Sequence, residues 1–140
     1  MEFKPGRFFL LRVPEGEELL DFVKGFAEKK GIKTAIVKGI GSLRNPVVGY
    51  YSEEIKNYKK IELVGTFELL TLLGNISLKE GKPLPHLHVT LGNASGDVFG
   101  GHLIKGEVFV VELYIQELLG EPLVRKDRGN NLSLWDEEPL

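Results

Sequence analysis

The chain has 140 residues and a mass of 15.7 kDa, which suits one domain with a full hydrophobic core. Hydrophobic residues make up 42% and charged residues 27%, so the composition is globular and excludes a disordered or collagen-like chain. The absence of cysteine excludes disulfides, iron–sulfur clusters and cysteine-based zinc sites. The formal charge of −2 provides no basic excess for holding DNA through its phosphates.

The sequence predicts a cytoplasmic protein without membrane association. No apolar run approaches the ~20 residues of a membrane span, and Met1–Pro5 lack the apolar core of a signal peptide. The lack of cysteine fits a reducing compartment. High Lys and Glu usage with a single Met favours a thermophilic source.

The first part of the chain predicts a strand, a helix and a second strand. Residues 3–13 have strand composition with apolar residues on both faces. Apolar residues then recur at three- and four-residue spacing over 17–30, which predicts a helix with Gly31 as its C-cap. Residues 33–40 form the next predicted strand. The glycine-containing run 39–42 lacks the remaining residues of a phosphate loop, so we interpret it as a plain turn or a bulge.

After the helix the pattern is mostly β. Strand composition marks residues 47–51, 61–67, 69–78, 86–92, 98–104 and 108–118. Leu69–Leu73 is ambiguous between a strand and a helical turn. We expect an α+β fold with a mostly antiparallel sheet of about seven strands, one main flanking helix and, as an open alternative, a short second helix. A single domain spans 1–140, with a peripheral tail from about residue 125.

All three histidines of the chain fall on one face of a predicted hairpin. His86 and His88 lie two residues apart in a strand, so their side chains share a face. Residues 94–96 fit a three-residue loop with glycine in the left-handed position, and this register places His88 opposite His102. A different loop length, or a bulge at residues 100–101, would break the pairing.

Three neutral imidazoles on one sheet face predict a metal site. Cross-strand Cβ atoms lie about 4.5–5.5 Å apart, so the rings can converge on one cation. The donor set suits zinc with a fourth position open, although iron, nickel, copper and manganese accept the same ligands. The alternative is three polar residues without a metal. Gly100 and Gly101 beside His102 leave room for close approach by a ligand or another backbone.

Two carboxylates stand inside apolar segments, at Glu68 and Glu112. Because strand interiors rarely bury an unpaired carboxylate, each either pairs with a base such as Arg7, binds a histidine or faces solvent. Either one could act as general base to a metal-bound water. A small metal-dependent enzyme is therefore an alternative function for this chain.

Several motifs together resemble the PPC domain (plant and prokaryote conserved, also written PCC). The matching runs are Gly6-Arg7, residues 39–43, residues 65–76 beginning Gly-Thr-Phe-Glu-Leu-Leu, residues 86–89, and residues 96–103 with their Gly-Gly-His. The resemblance runs from about Phe3 to Glu117.

The resemblance implies a sheet of about seven strands with flanking helices, and assembly as a homotrimer. It also implies that His86, His88 and His102 form the metal-site motif of prokaryotic members, which are labelled predicted DNA-binding proteins. In plant relatives an AT-hook peptide grips the minor groove of A·T-rich DNA, while the PPC part mediates assembly and contacts with other proteins. The partner-contact candidates that match here are Gly65, Phe67, Glu68, Leu69 and Leu70.

The chain departs from the plant pattern because it has no AT-hook. Arg128-Gly129 is followed by Asn130-Asn131 instead of the basic residues of a hook. The short basic clusters at 56–60 and 125–128 are interpreted as solvated surface. We therefore expect a homotrimeric PPC-domain protein with a three-histidine metal site that acts as a DNA-binding and regulatory protein or as a partner-binding protein, with other proteins as possible partners and DNA as a weakly supported one. A zinc enzyme using the same triad, or a ligand-sensing domain without metal, are the alternatives.

Overall fold

Long antiparallel strands dominate the computed structural model, which describes residues 1–139. The elements are β1 (Lys4–Val13), α1 (Leu19–Lys30), β2 (Ala35–Ser52), β3 (Asn57–Glu62), β4 (Thr66–Lys79), β5 (Lys82–Gly92), β6 (Val98–Leu119), and the two-residue strands β7 (Lys126–Asp127) and β8 (Ser133–Leu134). The α+β class is confirmed, with six long strands where the sequence predicted about seven. No helix among these residues is long and apolar enough to cross a membrane.

The six long strands form one sheet whose pairings close on themselves. The order is β1-β6-β5-β4-β2-β3, with an additional pairing between β2 and β6. A path from β2 through β4, β5 and β6 therefore returns to β2. The 22-residue length of β6 allows this closure, because its first residues pair with β5 and its later residues with β2 and β1. Among residues 1–139, β1 and β3 are the edge strands of this sheet.

Two of the long strands were each predicted as two separate strands. In the structure each is continuous, and the predicted gap coincides with an irregularity of register. Segments 33–40 and 47–51 both belong to β2, and segments 98–104 and 108–118 both belong to β6. The run 39–42 is a bulge, because the register of β2 against β4 shifts between Gly39 and Gly41. A Cβ at Gly41 would lie 2.0 Å from the carbonyl oxygen of Val110, so only glycine allows this approach.

The alternative of a second helix at Leu69–Leu73 is wrong. These residues lie in β4, where the register against β5 shifts between Leu69 and Thr71. The shift interrupts the two-residue alternation, so Leu69 and Leu72 are buried three positions apart. That spacing imitates a helix in the sequence. The predicted strand 61–67 is also misplaced, because it spans the turn between β3 and β4.

Helix α1 begins and ends close to its predicted bounds of 17–30. Glu18 is the N-cap, and its carboxylate accepts a hydrogen bond from the backbone N–H of Asp21 at 2.8 Å. Gly31 ends the helix with a left-handed φ of 67°. Glu18 also accepts from the backbone N–H of Gly106 at 3.1 Å, which ties the start of the helix to β6.

One face of the sheet carries exposed apolar side chains. One row of register partners crosses five strands of the sheet. In order, it contains Leu10 of β1, Tyr114 of β6, Lys38 of β2, Leu73 of β4 and His88 of β5. Register partners point to the same face. Leu10 is 68% exposed and Leu73 is 54% exposed.

A second row of register partners runs beside the first one, from Phe8 through Gln116 and Ile36 to Asn75 and His86. Phe8 and Ile36 also expose their side chains. We call the exposed apolar residues of this surface the outer face: Phe8, Leu10, Ile36, Ile40 and Leu73. The histidines lie at its border.

Candidate metal centre

The hairpin of β5 and β6 has the register that the sequence predicted. His88 lies opposite His102, and Thr90 lies opposite Gly100. The loop closes with a hydrogen bond from the backbone N–H of Asn93 to the carbonyl oxygen of Asp97 at 3.0 Å. The left-handed position is occupied by glycine, as expected for a three-residue loop.

The three imidazole rings meet on this face of the sheet. One nitrogen from each ring lies within 4.8 Å of the others. The Nε2 atoms of His86 and His88 are 3.2 Å apart. The ring centroid of His102 lies 5.1 Å from that of His86 and 5.6 Å from that of His88. Within residues 1–139, no other trio of histidine or acidic side chains converges in this way.

Glycines bring the neighbouring backbones close to the histidines. A Cβ at Gly74 of β4 would lie 2.0 Å from the carbonyl oxygen of His86. A Cβ at Gly101 would lie 2.7 Å from the carbonyl oxygen of Gly49, and one at Gly100 would lie 2.9 Å from that of Val89. Of the two roles predicted for Gly100 and Gly101, the structure therefore supports close approach by another backbone.

Burial favours the neutral form of two of the three histidines, His86 and His102. Desolvation lowers the pKa of His86 to about 4, and the charges of Arg125, His102 and His88 add to this effect. Desolvation also lowers the pKa of His102, with smaller contributions from His88 and Arg125. A neutral imidazole is the form that binds a metal.

The donor set fits a divalent metal. Nδ1 of His102 is buried and has no hydrogen-bond partner in the described part of the chain. Buried polar atoms normally have a partner, and a cation or a water would supply one here. Three imidazoles held by two paired strands match the ligand set of zinc sites that keep a fourth position open.

Arg125 is the residue beside the triad that the sequence reasoning missed. Its guanidinium is buried, and Nε donates to Oγ of Ser77 at 2.7 Å. Nη2 lies 3.1 Å from Oδ1 of Asn75 and 3.3 Å from Nδ1 of His86. The ring of Trp135 covers the guanidinium at 4.3 Å. The lone tryptophan was the only signal that this tail packs against the domain.

The rest of the basic cluster at 125–128 is partly neutralised. Lys126 pairs with Asp136 at 2.8 Å, and Arg128 pairs with the same carboxylate. The tail is anchored to β4 by a hydrogen bond from the backbone N–H of Arg125 to the carbonyl oxygen of Leu78 at 2.7 Å. These contacts bring residues 125–135 to the histidines.

A cavity of about 190 Å³ adjoins the triad. Its polar lining includes His86, His102, Arg125 and Tyr58. The remaining lining residues are Leu84, Pro85, Asn131, Leu132, Ser133 and Leu134. The lining therefore combines four apolar residues with six polar ones, which include one buried cation and no carboxylate among the described residues.

The two predicted carboxylates lie elsewhere. Glu68 is exposed on β4, opposite Ser42 and Gly92. Glu112 is exposed on β6, opposite Arg12 and Ile40. Both side chains face solvent, and neither lines the cavity.

Arg7 pairs with Glu117, a carboxylate that the sequence did not single out. Its Nε lies 2.7 Å from one oxygen of Glu117, and its Nη2 lies 2.8 Å from the other. Nη2 also donates to the carbonyl oxygen of Lys30 at 2.8 Å. Arg7 therefore ties β1 and β6 to the end of α1, away from the histidines in the sheet.

The partner-contact candidates of the segment 65–70 divide between the core and the surface. Phe67 and Leu69 are buried in the core. Gly65, Glu68 and Leu70 are exposed. Of the five candidates, these three are therefore the ones available to another molecule in this conformation.

Comparisons with known proteins agree with this fold. Residues 1–119 match the model of the Plants and Prokaryotes Conserved (PCC) domain. A plant- and prokaryote-conserved (PPC) protein of Pyrococcus horikoshii is 56% identical, with a TM-score of 0.97 over 99% of this chain and 97% of that chain. A metal-containing protein of Archaeoglobus fulgidus is 44% identical, with a TM-score of 0.91 over 97% of each chain.

A more distant structure shares the fold alone. It is described as a "putative dna binding protein" of Bacteroides thetaiotaomicron and is 21% identical, with a TM-score of 0.85 over 96% of each chain. A search of curated proteins finds no match.

Proposed function

The chain belongs to the Plants and Prokaryotes Conserved (PCC, or PPC) domain family, and on that premise we propose that it is a homotrimeric regulatory or partner-binding protein with a three-histidine metal site. The observation that carries the proposal is the convergence of nitrogens from His86, His88 and His102 within 4.8 Å. Zinc is the metal that this donor set suits well.

The metal site is supported by the burial of two of its three histidines. His86 and His102 are held neutral by burial, so no proton has to leave a charged ring before the metal binds. The 44% identical protein of Archaeoglobus fulgidus is described as metal-containing. Zinc held by these three imidazoles would have a fourth coordination position for a water or a small ligand.

The homotrimer is supported by the outer face. Leu10 and Phe8 expose 68% and 61% of their surface, and Leu73 exposes 54%. Exposed apolar side chains that share one sheet face favour an interaction surface there. The occupant we propose is a second copy of this chain, as the PPC resemblance implies. The interface would border the histidines, because His88 ends the row that contains Leu10 and Leu73.

Direct DNA binding is the weaker part of the proposal. Lys59 and Lys60 are exposed on the edge strand β3 and could contact phosphates. The second basic cluster offers less free charge, because Lys126 and Arg128 share Asp136. We therefore favour a protein partner bound at the exposed positions of segment 65–70, with DNA as the alternative.

A small metal-dependent enzyme is the second candidate, and the cavity beside the triad favours it. A hydrolytic zinc site also needs a base for its bound water. Glu68 and Glu112 do not line the cavity, and its lining contains no other carboxylate in the described residues. The geometry therefore supports the non-enzymatic function better.

Elemental analysis and light scattering test the main proposal. Zinc-loaded, desalted protein should hold about one metal per chain, and a His88→Ala/His102→Ala variant should hold almost none. Thr90→Ala, on the same strand face, is the matched control and should keep its metal. Three chains of 15.7 kDa should give a mass of about 47 kDa. A 15.7 kDa particle would refute the trimer, and full metal content in the double variant would refute the site.

DNA binding has a separate test. Fluorescence anisotropy with an A·T-rich duplex should show an affinity that falls steeply as salt rises if lysines contact phosphates. A Lys59→Ala/Lys60→Ala variant should then have a smaller salt slope. No binding at low salt would remove DNA from the proposal and leave the protein partner.

A further inference from the structure

Arg125 carries a buried positive charge that forms no ion pair with a carboxylate among residues 1–139, and Glu137 lines a second cavity with it without pairing. Four of its five N–H groups donate to neutral acceptors, namely Oγ of Ser77, the carbonyl oxygen of Ser133, Oδ1 of Asn75 and Nδ1 of His86. Desolvation lowers the pKa of Arg125, which reflects the cost of this burial. Buried charges are normally paired with an opposite charge.

The unpaired charge lines the cavity next to the triad. Arg125 and His86 share the wall, and the leucines and proline of the lining supply apolar surface. A volume of about 190 Å³ is far above the space of one water and below that of a drug-sized ligand site. The cavity therefore fits a small molecule that has one anionic group and a short apolar body.

We propose that this cavity binds a short-chain carboxylate, with its carboxylate group against Arg125 and its alkyl part against the apolar wall. A carboxylate is favoured over the more highly charged phosphate because Arg125 is the one Lys or Arg of the described lining and has a single uncommitted N–H. Arg125 lies outside the part of the chain that matches the family model, residues 1–119. The inference rests on the proposed function in one respect only: a bound metal would offer the carboxylate a second contact, at its open coordination position.

The chain contains its own reporter for binding. Trp135 is the only tryptophan, and its ring lies 4.3 Å from the guanidinium carbon of Arg125. A carboxylate that binds Arg125 changes the electrostatic surroundings of this indole. Tryptophan fluorescence of the full chain therefore follows occupancy directly.

The experiment titrates full-length protein with propionate, at constant ionic strength, in metal-free and zinc-loaded forms. Propionate should change the fluorescence saturably in both forms, whereas 1-propanol and propylammonium should not. Arg125→Met should weaken propionate binding about tenfold or more, as expected for loss of a charge-assisted hydrogen bond. Circular dichroism checks that this variant is folded.

A second variant keeps the test independent of Arg125. Leu84→Phe fills the cavity without touching the charge, and it should also weaken binding by about tenfold. Leu70→Phe, on an exposed site outside the cavity, is the matched control and should bind like the wild type.

The inference would be overturned by the absence of a saturable change up to about 100 mM propionate, by an equal response to 1-propanol, or by unchanged binding by folded Arg125→Met. If propionate binds only when zinc is present, and Arg125→Met leaves that binding unchanged, the carboxylate binds the metal alone, and this result also overturns the inference. The titration of metal-free protein tests carboxylate binding without the metal, whereas elemental analysis tests the metal site. Failure of one proposal can therefore be distinguished from failure of the other.

Discussion

Replacing His88 with alanine should abolish metal-linked stability while leaving the metal-free fold nearly unchanged. The His88 side chain is exposed, so its loss should change the free energy of unfolding by no more than about 0.5 kcal/mol without metal. Zinc at 100 times its dissociation constant should stabilise the wild type by about 2.7 kcal/mol. For 140 residues, an unfolding entropy of about 2.1 cal/mol/K per residue converts this into a rise in Tm of about 9 °C.

Calorimetry of wild type and variant, each with a chelator and with zinc, measures the effect. His88→Ala should show a zinc-dependent rise of less than about 2 °C, because two imidazoles bind zinc far more weakly than three. Thr90→Ala, which leaves the ligands intact, should keep the full rise. An equal rise in His88→Ala and wild type would show that zinc stabilises through another site, and the three-ligand reasoning would be wrong.

Three further predictions use other parts of the structure. Gly74→Ala places a Cβ 2.0 Å from the carbonyl oxygen of His86, so its free energy of unfolding, measured with denaturant, should fall by at least about 2 kcal/mol. The control Gly25→Ala lies in open space on α1, and its free energy of unfolding should rise by up to about 1 kcal/mol. Equal stability of the two variants would contradict the close approach at Gly74. Leu10→Glu on the outer face should convert the trimer into monomers by light scattering, and Val64→Glu, at a site 90% exposed, should not. The pKa of His86 is about 4 in the fold and 6.5 when unfolded, so the unfolded chain takes up the proton first as pH falls. Metal-free stability should therefore decline from pH 6.5 to 4 and be insensitive to this group above 6.5; a flat profile between pH 6.5 and 4 would contradict the burial of His86.

The triad could be predicted because it depends on local information. His86, His88 and His102 lie within 17 residues, and a loop that demands glycine at one position fixes their register. The alternation of Leu87, Val89 and Leu91 toward the core then fixes which face the histidines occupy. A one-residue error would have separated the ligands, and loop chemistry and apolar pattern both exclude it.

The sheet closure and the burial of Arg125 could not be predicted because they depend on distant contacts. Pairing of β2 with β6 requires a glycine at position 41, where a Cβ would lie 2.0 Å from the carbonyl oxygen of Val110, and in the sequence this glycine run resembles the end of a strand. Arg125 stands in a run of basic residues, which in isolation is typical of solvated surface. Its burial follows from the return of the tail to β4 and from Trp135, neither of which has a periodic signature.

The hydrogen bond between Arg125 and His86 links the metal site to the cavity. Arg125 donates to Nδ1 of His86, so the proton of the neutral ring lies on Nε2, the atom that faces His88. Coordination through Nε2 would move that proton to Nδ1, and Nδ1 could then no longer accept from Arg125. The guanidinium would then have a second free N–H. The divalent metal and Arg125 would both be positive while the three histidine ligands are neutral, and this excess positive charge would favour binding of an anion. The metal should therefore strengthen binding of the carboxylate, and the carboxylate should strengthen binding of the metal. A propionate dissociation constant that is equal with and without zinc would refute this coupling.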